Sequence, residues 1–316
     1  MGSASMSVFG LIGTITSDEI LYDDGRSFRG LGGVLYQAVA LCGFGHRVRL
    51  AARCGEALRV PVEGLLSDWP TLERGGLLFV PGPGNRVELR YSERLKEREE
   101  VLRSVVPPLD PSYLLERMAD LKLLLMVFNS GFDMELPDWR RIARAARCPI
   151  WMDIHSLCLA RIVGAPRDYV ALPEWREWVE GVTYLQANRQ EVACMLGRPE
   201  RWPEREEIEA FARDAFDRSV RAVFVTMGKD GVLTLTPDDV RLIQAPRADR
   251  VVDTTGCGDI FCAATMHRLA AGAALFEAAA FGVTIASGAV GLSGLEATYA
   301  LARSSDRENP QRGTAR

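Results

Sequence analysis

Histidine is scarce in this sequence. His46, His155 and His267 are the only three, too dispersed to suggest a histidine-based metal centre. The cysteines (Cys42, Cys54, Cys148, Cys158, Cys194, Cys257 and Cys262) are odd in number, scattered and without a CxxC pair. That pattern argues against a disulfide framework or a structural zinc site, and for a reducing, cytoplasmic setting. No run of apolar residues reaches the length of a membrane span, and the opening Met1-Gly-Ser-Ala-Ser-Met6 lacks the hydrophobic core of a signal peptide. No membrane partner is expected. A basic surplus is missing as well: the net charge is −4, with both signs interleaved, so nucleic acid is not the expected partner.

Several chemical templates are also missing. There is no GxxxxGK[ST] loop, no GxGxxG behind the first strand, and nothing matching GxSxG or HExxH. Phosphate chemistry, if present, needs another anion-binding turn.

Apolar residues make up 47% of the chain and charged residues 25%, enough to build a substantial buried core. Short apolar runs at 7–12, 48–52, 121–128, 150–153, 184–187, 222–226 and 232–236 read as strands. Between and after them, helices are expected at 35–44, 111–118, 137–146, 189–196, 205–218, 259–271 and from about 275 to 290. Continuous apolar strands followed by helices imply an α/β, doubly wound, mostly parallel sheet with helices on both faces. In that architecture ligands gather at the carboxyl ends of the strands.

Two stretches depart from this rhythm. Residues 16–30 alternate around the turn signal Asp23-Asp-Gly25, and residues 76–106 alternate behind Pro81-Gly-Pro-Gly84. They are expected to meet as a small β-sheet lid over the site, on a single catalytic domain spanning 7–303. The polar residues 304–316 read as a disordered tail.

The strongest candidate site is Asp253-Thr-Thr-Gly-Cys-Gly-Asp259. Glycines at a helix start leave backbone N–H groups unhindered, and the helix dipole adds partial positive charge, so the turn suits a phosphoryl group. An aspartate in the first helical turn can accept a proton from an attacking hydroxyl. Helix capping by Thr255 or Asp259 explains the same spacing equally well. Asn188-Arg-Gln-Glu191 sets an amide and a carboxylate three apart, suited to magnesium-bound water, and is also the pattern of a capping box. Thr226-Met-Gly-Lys-Asp-Gly231 joins two strand candidates at a carboxyl end where a nucleotide can rest; a hairpin turn looks the same. Asp18 and the pair Gly32-Gly33 follow the first strand, where turn and helix-entry roles compete with substrate binding.

In this order the motifs resemble the ribokinase-like (PfkB-type) family of carbohydrate and nucleoside kinases. Asp253-Thr-Thr-Gly-Cys-Gly-Asp259-Ile-Phe261 is similar to its closing signature DTTGAGDxF, with Cys257 where alanine is usual. Asn188 to Glu191 resembles its NxxE motif, Val225 to Gly231 its nucleotide turn, and Asp18 and Gly32-Gly33 its first-strand aspartate and di-glycine. The resemblance implies MgATP as donor and a sugar, polyol or nucleoside hydroxyl as acceptor. It implies Asp259 as base, the Gly256, Cys257 and Gly258 amides as anion hole, and Asn188 and Glu191 serving magnesium and phosphate. Thr226, Gly228 and Gly231 would line the nucleotide. Asp253 and Thr255 would lie near a potassium ion, and lid-edge pairing would make a homodimer.

Departures from the family fall on the acceptor side. Gly33-Val-Leu-Tyr-Gln37 lacks the usual asparagine, Arg53-Cys-Gly-Glu56 stands where an aspartate is common, and Asp153-Ile-His-Ser156 replaces Asp-x-Asn. The acceptor-side candidates are therefore Asp18, Gly33, Asn129 and Asp153. The rival readings are a nucleoside kinase, in which rings such as Tyr36 stack on a base, and a sensor that kept the fold and lost catalysis.

Overall fold

The computed structural model describes residues 7–91, 99–248 and 251–308, with side chains of the last helix described through 305. Part of the second alternating stretch (92–98) and the end of the tail (309–316) lie outside the described residues.

The strands are β1 (Val8–Tyr22), β2 (Ser27–Gly33), β3 (Arg47–Gly55), β4 (Leu72–Val80), β5 (Asn85–Tyr91), β6 (Glu99–Ser104), β7 (Leu123–Val127), β8 (Ile150–Asp153), β9 (Tyr184–Asn188), β10 (Ala222–Thr226), β11 (Val232–Leu235) and β12 (Val240–Ile243). The helices are α1 (Leu35–Gly43), α2 (Arg59–Ser67), α3 (Ser112–Leu115), α4 (Leu136–Ala145), α5 (Trp175–Trp178), α6 (Arg189–Met195), α7 (Arg205–Phe216), α8 (Cys257–Ala270), α9 (Leu275–Ala289) and α10 (Leu295–Glu308).

The main sheet runs β12-β11-β10-β9-β8-β7-β1-β3-β4. Pairing from β10 through to β4 is parallel, and β11 and β12 close one edge antiparallel. Parallel strands need both faces covered, and the side-chain alternation does that here. Along β7, Leu123, Leu125 and Val127 enter one core with α1, α8, α9 and α10. Leu124 and Met126 enter the opposite core with α4, α6 and α7. The strand order reverses between β1 and β7, which opens a crevice at the carboxyl ends.

β1 is longer than its apolar run suggests. Its first half pairs with β3 and β7, the register to β3 ending at Thr14↔Arg53. From Ile15 it pairs antiparallel with β2, and from Thr16 parallel with β5, which in turn pairs with β6. The alternating stretches thus meet in a second, smaller sheet, cored by Ile20, Val87, Leu89 and Leu102. Tyr22 stacks on Tyr91 across it, ring centroids 5.5 Å apart.

Three expectations change. Residues 76–80 are not part of the small sheet, because they belong to β4 at the edge of the main one. The helix expected at 111–118 shrinks to the single turn α3, in a segment broken by Pro107, Pro108 and Pro111. The polar tail is helical through Glu308, since α10 buries Leu295, Thr298 and Ala302 on one face. Ser304 and Ser305 donate to the Leu301 carbonyl at 3.0 and 2.8 Å inside that helix. No helix among the described residues is long and apolar enough to cross a membrane.

Candidate active site

Three parallel strands end on polar residues. Asp153 closes β8, Asn188 closes β9 and Thr226 closes β10. The ladder sets Asp153 beside Gln186, and Thr226 beside Asn188. With Asn129 just beyond β7, these side chains line a cleft of about 230 Å³ that also receives Thr16, Asp18, Gly33 and the start of α8. All four acceptor-side candidates, Asp18, Gly33, Asn129 and Asp153, reach this one cleft, together with Gly256, Gly258, Asp259, Glu191 and Thr255.

The start of α8 owes its shape to Gly256. This residue is left-handed, with φ 78°, and a Cβ there would lie 2.6 Å from Cδ1 of Tyr36. Only glycine lets the chain turn so closely over the ring. Gly258 is open by comparison: a Cβ at that position would meet nothing closer than Gln186 Nε2, at 3.6 Å. The expected anion hole needs one adjustment: the Cys257 amide donates to the Thr254 carbonyl at 3.3 Å, closing the turn. Burial, followed by the Asp253 and Asp259 carboxylates, pushes the Cys257 thiol up to about 12. Cys257 is therefore a small neutral side chain, in keeping with the alanine usual at that position.

Asp259 accepts a hydrogen bond from Gln37 Nε2 of α1. Gln186 Nε2 donates to Asp153 Oδ2 at 2.9 Å and to the Gly258 carbonyl at 3.1 Å, tying the floor of the cleft to α8. Asp18 lies over Gly32, where a Cβ would sit 2.1 Å from its Oδ2. The second glycine of the pair, Gly33, is left-handed and would place a Cβ 2.3 Å from the Thr14 carbonyl.

Asn188 and Glu191 do form a capping box. The Glu191 amide donates to Asn188 Oδ1 at 2.8 Å, and the Asn188 amide donates to Glu191 Oε2 at 2.7 Å. The cap does not remove the pair from the cleft, since both residues line it. Glu191 Oε1 also stands 3.6 Å from His155 Nδ1. Burial opposes charge on His155, but Glu191, with Asp153 and Glu100 behind it, outweighs that and lifts the imidazole to about 9. Burial raises the Asp153 carboxyl above its ordinary range, with Glu191 and Asp259 adding to the effect and His155 opposing it. His155 also holds a positive φ of 33°, a conformation that non-glycine residues adopt at a cost.

A second chamber of about 600 Å³ adjoins the cleft at Thr226, Thr254 and Gly258. Gly228 and Gly231 line it, with Val232, Ala245, Val283, Ala286 and Val290 supplying apolar walls. Asp253 Oδ1 accepts from the Thr255 amide at 2.8 Å, and the Thr255 hydroxyl is buried without a hydrogen-bond partner. That oxygen set is compatible with a monovalent cation. The Asn188/Glu191 oxygens suit a hard cation approached through water. No group of three or more His, Cys, Asp or Glu side chains that could hold a metal is present among the described residues.

Sequence reasoning overlooked Gln186, His155, Gln37, Thr16 and Glu100 as site residues. Gln186 lies two positions before Asn188, so strand alternation places both on the same face. Glu100 sat in a dense charge run that read as a solvated surface. Arg167 draws it inward by pairing with Glu100 at 3.0 Å and donating to the Ser130 carbonyl at 2.9 Å.

Residues 158–300 match the pfkB family of carbohydrate kinases. A 1-phosphofructokinase of Haloferax volcanii is 34% identical over 166 residues, covering 51% of this chain and 47% of that protein. The chain spans less than half the length of the curated relatives it matches first. Among solved structures, the ribokinase of Thermotoga maritima superposes with a TM-score of 0.73 at 17% identity, covering 96% of this chain and all of that one. The nucleoside kinase of Burkholderia thailandensis in complex with inosine gives 0.73 at 21% identity, covering 94% of this chain and 95% of that one.

Proposed function

We propose, for a chain that belongs to the ribokinase-like, PfkB-type kinases, that it transfers the γ-phosphate of ATP to a hydroxyl of a sugar or sugar-like acceptor. The single observation that carries this reading is the convergence of Asp259, the α8 N-terminus and the acceptor-side carboxylates on one cleft.

Asp259 is the base: its carboxylate takes the proton of the acceptor hydroxyl as that oxygen bonds to the γ-phosphorus. The bond from the γ-phosphorus to the bridging oxygen breaks, and ADP leaves. Gly256 and Gly258 backbone amides at the α8 start stabilise the charge on the transferring group. Gln37 fixes the Asp259 carboxylate through its Nε2 donor. Asn188 and Glu191 are the residues that would hold the water shell of magnesium, which would supply charge neutralisation to the phosphates when bound with the nucleotide. Asp253 and Thr255 are suited to hold potassium.

The apolar chamber behind Thr226, Gly228 and Gly231 supports a nucleotide donor, because it offers the adenine ring a dry wall. The acceptor cleft supports a sugar over a nucleoside. The Tyr36 ring, the candidate for stacking on a base, is packed on Gly256. The small sheet formed by β1, β2, β5 and β6 acts as a lid that limits water at the transferring phosphoryl. The whole chain from residue 7 into α10 is read as one catalytic unit.

The test is ADP release with magnesium and ATP over a panel of sugars and polyols, wild type against Asp259→Asn. Loss of about 10²–10⁴-fold in kcat, with ATP binding retained, is expected. Near-normal turnover by the variant, or no ADP release with any acceptor, defeats the reading.

A further inference from the structure

On the kinase reading above, the donor's phosphates run from the apolar chamber to Asp259, and a third chamber of about 700 Å³ borders both ends of that route. It shares Asn188 and Glu191 with the cleft, and Gly228 and Lys229 with the apolar chamber. Thr226 and Thr254 line all three.

Two cations line this third chamber, Arg189 at the start of α6 and Lys229 in the turn between β10 and β11. Neither makes an ion pair among the described residues. The Arg189 guanidinium lies over the Trp202 ring instead, 5.2 Å from its centroid. A cation–π contact at an exposed ring is weak beside a charge-assisted bond to phosphate, so an arriving phosphate can draw the guanidinium away.

The carboxylates of the same lining are differently placed. Glu100 is paired with Arg167 at 3.0 Å, and Glu191 is engaged by the Asn188 amide at 2.7 Å. Asp230, beside Lys229, is exposed.

We propose that Arg189 and Lys229 hold the phosphates of the donor, Lys229 at the end nearer the base and Arg189 at the γ end. The order follows from the shared walls: Lys229 also lines the apolar chamber, and Arg189 adjoins Asn188, which also lines the cleft. Arg189 offers a planar fork suited to two phosphate oxygens, and Lys229 a point charge on a long stem. Trp202 is a positioning residue that holds the Arg189 stem at the mouth until the donor arrives. It also reports the event, being 53% exposed where the other five tryptophans are 6% exposed or less.

The experiment measures Kd by calorimetry, with magnesium, for adenosine, ADP and adenylyl imidodiphosphate, a non-hydrolysed ATP analogue. Arg189→Met is expected to weaken the analogue by about tenfold or more, the weight of one charge-assisted bond, and ADP by less. Lys229→Met is expected to weaken ADP and the analogue alike, and Arg189→Lys to recover part of the loss. Adenosine should bind all the variants as it binds the wild type, which separates lost phosphate contacts from a damaged fold. Iodide quenching of tryptophan emission should change when the analogue binds the wild type, and should not change with adenosine or in Trp202→Phe.

Unchanged affinity for the analogue in both methionine variants, or equal weakening of adenosine and the analogue, overturns the assignment. Equal weakening of ADP and the analogue by Arg189→Met overturns its place at the γ end. The expected binding pattern without ADP release for any acceptor upholds the assignment and defeats the kinase reading. No binding of any nucleotide by the wild type overturns both.

Discussion

His155 concentrates much of the site's electrostatics in one side chain. Its imidazole is raised above the ordinary value to about 9, burial opposing the charge and Glu191, Asp153 and Glu100 favouring it. A raised folded-state value means that the protonated ring stabilises the fold. That contribution is complete below the unfolded value near 6.5 and disappears as pH rises through about 9. Thermal unfolding of the wild type should therefore decline across this window. His155→Asn, which tolerates the positive φ, should flatten the decline; an identical pH slope in the two proteins would exclude this role. Gln37 gives a second residue-scale prediction. Gln37→Leu keeps the side chain's bulk and removes the donor to Asp259, so kcat should fall roughly 10–100-fold through misplacement of the base. KM for ATP should not move, which separates positioning from a general loss of structure. Residue identity was legible where a motif fixed it, as with Asp259, Asn188 and Glu191. Gln37 and His155 fall in the stretches 33–37 and 153–156 where the chain departs from the motifs it resembles, so they registered only as departures.

At the scale of elements, the turn into α8 is the most constrained piece of backbone in the cleft. Gly256→Ala would impose a left-handed alanine and set a methyl against the Tyr36 ring. A stability loss of about 1–3 kcal/mol is expected, together with reduced turnover, measured by denaturant unfolding and ADP release. Unchanged stability would mean that the ring shifts freely. The core strands β8 and β10 were legible because continuous apolar runs bounded by polar residues have one reading in a buried parallel sheet. α2 escaped notice because Pro61 and Gly64 interrupt its pattern, although both are accommodated in the helix. α10 carries a readable spacing at Leu295, Thr298 and Ala302, masked by its many polar neighbours. The internal order of β1 was half visible: the apolar run gave the half in the main sheet, and the alternation from Thr16 onward gave the half that belongs to the small sheet.

The two sheets are held together by buried polar groups as well as by chain. Thr14 Oγ1 donates to Asp133 Oδ1 at 2.6 Å and accepts from Asn85 Nδ2 at 2.6 Å, while Asn85 Oδ1 receives the Val106 amide at 2.7 Å. Arg167 makes a second link, from Glu100 on β6 to the loops behind β7 and β8. Arg167→Met would leave the Glu100 carboxylate without its buried partner, at a cost of about 3–5 kcal/mol. The double variant with Glu100→Gln should recover part of that loss in denaturant melts. Simple additivity of the two substitutions would deny the coupling. No sequence pattern announces such links, because they join residues far apart in the chain and depend on registers that only the assembled sheet defines.

β1 changes partners between Thr14 and Thr16 without interrupting its own course. For protein engineering this makes the small sheet a poor cassette. Its central strand is continuous with the middle of the main sheet, so grafting a lid from a relative requires splicing within a buried strand. Exchange of acceptor specificity is better sought in the exposed turn at 23–26 and in the side chains over the cleft, where the backbone frame stays whole.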